Sequence, residues 1–371
     1  MAKQTVTRES NSVREPLFHI AKRNSMKKWQ IVLIYAAAIA VAYIVSAVIC
    51  TVTSKSSRAS VFSFLPALFR GAVGSSRKVW SLIKETSLLL AVSLAIVLPF
   101  KMKFWNLGGN GQVLIGCLAA NACMYYLRNS LPVIGLFFIA MAASILAGIV
   151  WAVIPAIFKA MFNTNESLFT LMMNYIANSL VLAFIAMWNK QSTSFDPSNY
   201  SKLAGFLDKP YIPLIVAVVL TAIVTVYLRF SKHGYEISVV GESRNTAKYI
   251  GINVKKVTVR TLVFSGAICG LVGMLLANST FGTDAAKNMG FTAIMTTWLG
   301  NFNPLFMALS CFLVSFTSLG VKFGVKTQYG FTNNAIANVV LGITYLIVIS
   351  CTFFTQYVIV KNKKHKEDRQ I

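Results

Sequence analysis

The side chains in this chain best placed to do chemistry carry amides and hydroxyls, not charges. Asn106, Asn110 and Gln112 are interleaved with Gly108, Gly109 and Gly111 in the stretch "NLGGNGQ". Thr170, Asn174 and Asn178 recur every four residues in a later apolar run, a spacing that puts all three on one face of a helix. Asn303 stands in a third polar stretch, "GNFNP", at 300–304. Amides and hydroxyls donate and accept hydrogen bonds without formal charge. They suit the exchange of hydrogen bonds with a neutral polar molecule, and they are poor tools for acid–base or nucleophilic work.

The usual catalytic arrangements are missing from the sequence. There is no paired-carboxylate, nucleophile–histidine or metal-ligand spacing, so we expect no catalytic residue, no metal and no cofactor held by this chain. The nearest approach to a phosphate-binding loop is "FGVKTQYG" at 323–330. It has Val325 between Gly324 and Lys326 and lacks the spaced upstream glycine of such loops. The six cysteines lie in or at the ends of apolar runs without CxxC spacing, and read as small buried residues.

The elements that must position the amides are set by the solvent. The chain has 371 residues, 56% hydrophobic and only 12% charged, with a mean hydropathy of +0.64. A soluble chain carries about 25% charge, so this is the composition of a membrane protein. Runs near the 20 or so residues needed to span occur at 31–52, 133–154, 166–188, 211–230, 259–277 and 334–360. Two further pairs, 86–100 with 108–127 and 291–300 with 304–321, are separated by glycine- and asparagine-rich breaks. The expected fold is all-α and polytopic, with roughly ten membrane segments, some broken or short. In hydrocarbon an unpaired backbone group costs several kcal/mol, so a glycine-rich break at membrane depth must be buried in protein or line a wet cavity. The spacing of Gly266 and Gly270 in "SGAICGLVG" reads as close helix packing.

The formal charge of +24 resides in loops and tails beside the spans, where it fits membrane orientation better than nucleic-acid binding. Basic residues place an N-terminal arm (1–30), a loop (231–258) and a C-terminal tail (361–371) in the cytoplasm, with one transmembrane domain over 31–360. The loops 53–85 and 189–210 then face outward. The first is itself basic, against the rule, and is expected to form interfacial helices with snorkelling side chains. The second is a solvated linker or a docking surface. No buried carboxylate or histidine offers a proton relay; Glu166 and Asp284 sit at span boundaries. A polar route without an engine implies that another subunit supplies energy.

Four stretches resemble permease subunits of bacterial ATP-binding-cassette importers, in the branched-chain amino acid, ribose and nucleoside group. "FWNLGGNGQVLIGCLAA" resembles the family's "FNIGAEGQ" block, and "NESLFTLMMNYIA" its "NEVIxTLMLNYIA" block. "VGESRNTAKYIGINVKK" is similar to the cytoplasmic "GxNPxAAxYAGIxV" loop, and "GFTAIMTTWLGNFNPLFMAL" to "GFxGIAVALLGRNNPLG". The blocks look most like the nucleoside-type permeases associated with basic-membrane-protein lipoproteins. Two departures stand out: Gly109-Asn110 replaces Ala-Glu, and Asn301 stands where an arginine is usual.

The resemblance implies a multi-pass bacterial plasma-membrane subunit that is not itself an enzyme. Its partners would be a cytoplasmic ATPase that hydrolyses ATP, a second homologous permease (different or identical), an extracytoplasmic substrate-binding lipoprotein and membrane lipid. Asn106, Asn110, Gln112, Thr170, Asn174, Asn178 and Asn303 would line the substrate pathway. Glu242, Arg244, Ala247, Tyr249 and Gly251 would form a coupling helix for the ATPase, with Ala247 and Ile250 on one side of it. The solute expected is a nucleoside; the alternatives are an importer for a simple sugar and an ion-coupled secondary transporter.

Overall fold

The computed structural model describes residues 18–22, 28–54, 56, 59–189, 194–199, 202–277, 281–333 and 335–361. Most of the expected N-terminal arm and nearly all of the tail, together with Lys55 and Arg58, lie outside these residues. The chain divides into two compact units: Met1–Ile49 with Gly342–Ile371, and Cys50–Leu341.

The first unit holds most of helix α1 (Lys28–Thr53). It also holds a two-stranded antiparallel ribbon of β1 (Phe18–Lys22) and β2 (Tyr357–Lys361), in which Ile20 faces Ile359. The ribbon is a small departure from the all-helical expectation; it takes up the end of the run expected to span as far as 360.

The second unit is helical. After a 3₁₀ turn (Val61–Ser63) come α2 (Phe64–Val73), α3 (Ser76–Lys101), α4 (Gly109–Tyr126), α5 (Val133–Phe162) and α6 (Glu166–Trp188). They are followed by α7 (Lys202–Leu207), α8 (Tyr211–Phe230), α9 (Lys232–Glu242), α10 (Arg244–Tyr249) and α11 (Val254–Leu276). Then come α12 (Met289–Leu299), α13 (Pro304–Gly320), a π-helical turn (Val321–Val325), α14 (Lys326–Tyr329) and α15 (Ala335–Gln356), whose later part belongs to the first unit.

Seven stretches among the described residues are long and apolar enough to cross a membrane. They include all or most of α1, α3, α5, α6, α8 and α11, and a run through α13 and α14. Three shorter apolar helices lie at Val61–Val73, Met289–Leu299 and Ala335–Cys351. The chain is thus a polytopic helical membrane protein.

The long helices differ in how far protein surrounds them. α3 is buried on every side from Ser87 to Phe100, and α11 nearly so, whereas α5 and α8 bury only narrow stripes and turn Leu, Ile, Val and Phe outward. An all-round apolar helix belongs at the centre of such a bundle. α11 packs on α3, α4 and α5 through small residues. A Cβ on Gly270 would stand 2.2 Å from the Ser144 carbonyl oxygen, and one on Gly116 2.7 Å from the Gly270 Cα. The Ser144 hydroxyl donates to the Gly116 carbonyl at 2.9 Å. The glycine spacing at 266–270 is therefore packing, as its sequence implies.

Two expectations are revised. The segment 53–85 is not one loop, because α3 begins at Ser76. α2 is also held by protein along its buried face: a Cβ on Gly324 would lie 1.9 Å from the Ala67 carbonyl oxygen, and one on Gly71 2.3 Å from that of Gly320. The string "FGVKTQYG" falls in the π turn, α14 and its left-handed cap Gly330 (φ +69°), so it is helical and not a phosphate-binding loop between strand and helix.

Candidate functional site

The site begins where α3 must stop. Pro99 brings no amide hydrogen to the last turn, and Lys103 (φ +56°) turns the chain through the left-handed region. The Pro99 carbonyl then accepts from the amides of both Met102 (3.2 Å) and Phe104 (3.0 Å). The next residues alternate: Met102, Phe104 and Asn106 are at most 1% exposed, while Lys103 and Trp105 face outward. Trp105 stacks on Trp298 of α12 (centroids 5.6 Å, 28°) and meets the edge of Phe100.

α4 then starts with no side chain of its own to cap it, because its N-cap residue is Gly108. Its free amides are satisfied from elsewhere, as the first turn of any buried helix requires. Asn106 Oδ1 accepts from the Gly108 amide at 3.0 Å and from Gln112 Nε2 at 3.3 Å. Asn174 Oδ1, on α6, accepts from the Gly111 amide at 2.8 Å, and its Nδ2 donates to the Leu107 carbonyl at 2.9 Å. The Leu107 amide donates to Thr170 Oγ1 at 3.1 Å. α6 thus caps α4 in trans, and it can do so only because Gly111 has no side chain: a Cβ there would sit 2.8 Å from Asn174 Oδ1. α6 is anchored in turn by Asn165, which caps its first turn, and by the Lys159–Glu166 ion pair at 2.8 Å, both side chains about 14% exposed or less.

The polar set therefore divides. Thr170 and Asn174 are committed to holding the break. In contrast, Asn106 Nδ2, Asn110 Oδ1, Gln112 Oε1 and Asn178 Oδ1 are buried with no hydrogen-bond partner within the protein. Buried polar groups are nearly always paired, so these four atoms call for an explanation. Asn303 lies elsewhere. It is the N-cap of α13, accepting from the Leu305 amide at 3.2 Å, in the turn at the far end of α12. The late break meets the early one instead through Gly290, whose added Cβ would stand 2.3 Å from the Asn110 amide nitrogen.

Sequence reasoning missed a second buried polar group behind these residues. Ser93 Oγ of α3 lies 2.7 Å from Thr296 Oγ1, and Thr297 Oγ1, which donates to the Ala293 carbonyl at 2.7 Å, lies 3.4 Å from the Ser93 carbonyl. The lone serine in "LLLAVSLAIV" and the paired threonines of "MTTW" were its only signals. These contacts fix α12 to α3.

The expected coupling segment forms a helix, α10, over Arg244–Tyr249. The Ser243 hydroxyl caps it at its start, and Gly251 (φ +82°) closes it with Ile252 returning its amide to the Ala247 carbonyl at 2.9 Å. Glu242, Arg244, Tyr249 and Gly251 are exposed, Tyr249 by 91%. Ala247 is a correction: it is fully buried and packs with Met102, Phe104, Ile237, Val240 and Val257, while Ile250 is 55% exposed. Ile250 lies past the last helical residue, as the C-cap, and is not buried with Ala247. Beside α10, Glu236 of α9 bonds Arg260 and lies 3.7 Å from His233 Nδ1; the guanidinium holds the Glu236 carboxyl below its usual range.

Comparison with known proteins now bears on this arrangement. The chain is 27% identical over 327 residues to the guanosine ABC transporter permease protein NupP of Bacillus subtilis, covering 82% of this chain and 90% of that protein. It is 24% identical over 323 residues to the nucleoside ABC transporter permease protein NupB of Lactococcus lactis, covering 81% and 86%. It is also 27% identical over 305 residues to the glucose ABC transporter permease protein TsgB13 of Haloferax volcanii, covering 74% and 77%. No solved structure matches the chain significantly. The signature of the branched-chain amino acid transport system permease component matches residues 79–349, which takes in both breaks, the α6 clamp and α10. The chain belongs to that permease family and is a multi-pass membrane component of an ABC transporter.

Proposed function

We propose that this chain is the translocation subunit of an importer for nucleosides, with the break at 106–112 and the adjoining face of α6 forming part of the solute's route. The observation that carries the proposal is the set of four unpartnered buried amide atoms on Asn106, Asn110, Gln112 and Asn178. All belong to uncharged groups, close to where the two interrupted segments meet at Gly290 and Asn110. A nucleoside offers hydroxyls and ring donors and acceptors but no charge, and neutral amides exchange hydrogen bonds with it without holding it too tightly for release. The names of two similar permeases, one for guanosine and one for nucleosides, agree with this. A simple sugar shares the same chemistry, and the glucose permease of Haloferax volcanii keeps it as the second reading.

In this proposal α9, α10 and both termini face the cytoplasm, in keeping with their basic flanks. The exposed Tyr249 and Arg244 of α10 enter a partner ATPase, which binds and hydrolyses the ATP; this chain holds no cofactor. A second permease, different or identical, completes the route, lipid surrounds the outward-facing apolar stripes, and an external lipoprotein delivers solute. Closure of the ATPases would push α10 and shift the bundle between outward- and inward-facing states.

The test is uptake of labelled nucleoside by proteoliposomes holding the full complex. Asn110→Ala and Asn178→Ala should each lower uptake by about tenfold, equal to roughly 1.4 kcal/mol of lost interaction with the moving solute, without lowering the melting temperature, whereas Gln112→Ala should lower uptake and also lose its hydrogen bond to Asn106. Glucose should not compete. Uptake that proceeds without ATP, or that collapses with the ion gradient, would refute the reading.

A further inference from the structure

We infer that Met102–Leu107 is the mechanical link between α10 and the amide cluster, with Phe104 as its positioning residue. The inference rests on the proposed contact of α10 with an ATPase and goes beyond it.

Both ends of the link are fixed. At one end, Met102 and Phe104 are buried in the apolar cluster that also contains Ala247 of α10, Ile237 and Val240 of α9, and Val257 of α11. Here the backbones touch: a Cβ on Gly241 would lie 2.0 Å from the Lys101 carbonyl oxygen, so α9 is seated directly on the end of α3. At the other end, the Leu107 amide and carbonyl are both held by α6, and Asn106 Oδ1 is held by Gly108 and Gln112. Between them runs Met-Lys-Phe-Trp-Asn-Leu, six residues without a glycine, although three glycines follow within the next four positions. The bends are also tied, with the Phe104 amide on the Pro99 carbonyl and the Asn106 amide on the Phe104 carbonyl, each at 3.0 Å. Trp105 braces the outer side on Trp298.

Packed interiors transmit displacement because they do not compress. A shift of α10 acts on the apolar cluster that Ala247 shares with Met102 and Phe104, and the tied segment carries it to Asn106 and Leu107, at the edge of the amide cluster. The alternation of buried and exposed side chains along the link is what lets a non-helical segment make core contacts at both ends.

The experiment uses the complete transporter in proteoliposomes, measuring ATP hydrolysis and solute uptake together. Phe104→Ala should keep complex assembly and hydrolysis but reduce solute moved per ATP by about tenfold, within the range of ordinary coupling energies. Phe104→Leu, which refills the space, should restore most of it. Unchanged transport per ATP in Phe104→Ala would overturn the link. So would a loss of hydrolysis and uptake in equal proportion from a normally assembled complex.

Should Phe104→Ala fail to assemble, spin labels on the exposed positions Lys103→Cys and Asn245→Cys decide the matter. A rigid link keeps their separation constant, to within about 2 Å, between nucleotide-free and nucleotide-trapped complexes; a larger change overturns it. Tyr249→Asp separates the two proposals. If it leaves the ATPase bound and uptake normal, the contact at α10 is wrong and the link falls with it. If it abolishes uptake while Phe104→Ala stays coupled, only the link is wrong.

Discussion

Replacing Asn174 by alanine tests the central geometric claim, that α6 caps α4 in trans. The change removes two hydrogen bonds, from the Gly111 amide at 2.8 Å and to the Leu107 carbonyl at 2.9 Å. Both orphaned groups are backbone, and neither has another partner: Gly111 lies in the first turn of α4, and Leu107 belongs to no helix. A buried unsatisfied group costs about 1–3 kcal/mol, so the pair should cost roughly 2–6 kcal/mol. Side-chain hydrogen bonds between membrane helices average nearer 0.6 kcal/mol, because the separated helices find other partners. That discount does not apply to a fixed backbone break, so the upper range is expected. The assay is unfolding of the detergent-solubilised protein followed by intrinsic fluorescence, with Asn178→Ala as reference. Asn178 lies one turn further along the same helix, and its Oδ1 has no protein partner to lose. Its alanine variant should stay within about 0.5 kcal/mol of the wild type, the usual range away from specific contacts. Equal stability of the two variants would refute the capping argument.

Other perturbations follow from the same contacts. Gly290→Val drives a side chain into the Asn110 backbone at 2.3 Å and should abolish folded protein in size-exclusion chromatography, whereas Gly342→Ala, which meets nothing within 4 Å, should not. Glu166→Gln breaks a mostly buried ion pair with Lys159 and should cost about 3–5 kcal/mol in an unfolding titration; the double variant Lys159→Met/Glu166→Gln should recover part of it. Glu236 is held below its ordinary range by Arg260. Its stabilising contribution is therefore complete above the unfolded carboxylate value of about 4.3 and lost as pH falls through the lowered folded value. Melting temperature should drop through that window, and Glu236→Gln should flatten the drop.

Much of the architecture is legible in the sequence, for reasons that differ by element. Long apolar runs announce α5, α6, α8 and α11 directly, because burial in lipid demands one composition over a fixed length. The two breaks are legible because glycine and asparagine have few other reasons to interrupt such runs. What the sequence hides is how the amides are divided. Asn174 and Asn178 share one helix face and look equivalent, yet one is bonded twice to a distant backbone and the other is not. That difference depends on where Gly111 arrives, a contact between residues 63 positions apart. Asn303 shows a role that the sequence leaves open: the asparagine before Pro304 caps its own helix, a local task that its sequence context equally allows. Ala247 misleads because a six-residue helix carries too little pattern to show its inward face.

The split among the amides also argues against a purely structural account of the break. Were the sole task to join α3 to α4 inside the bundle, Asn106, Thr170 and Asn174 would complete it, since they satisfy the exposed ends of the chain at Leu107, Gly108 and Gly111. Asn110 and Gln112 add nothing to that closure through their oxygens, and an alanine at either position would spare the bundle a buried acceptor. Each such acceptor carries a penalty of about 1–3 kcal/mol when nothing meets it. Under the proposed function a hydrogen-bonding solute would meet these acceptors on arrival and leave them unmet on departure, a difference that binding followed by release requires. The clamp and the amide set therefore require each other. In the proposed route the clamp holds the break inside the protein, and the unpartnered oxygens beside it are the groups a solute would meet.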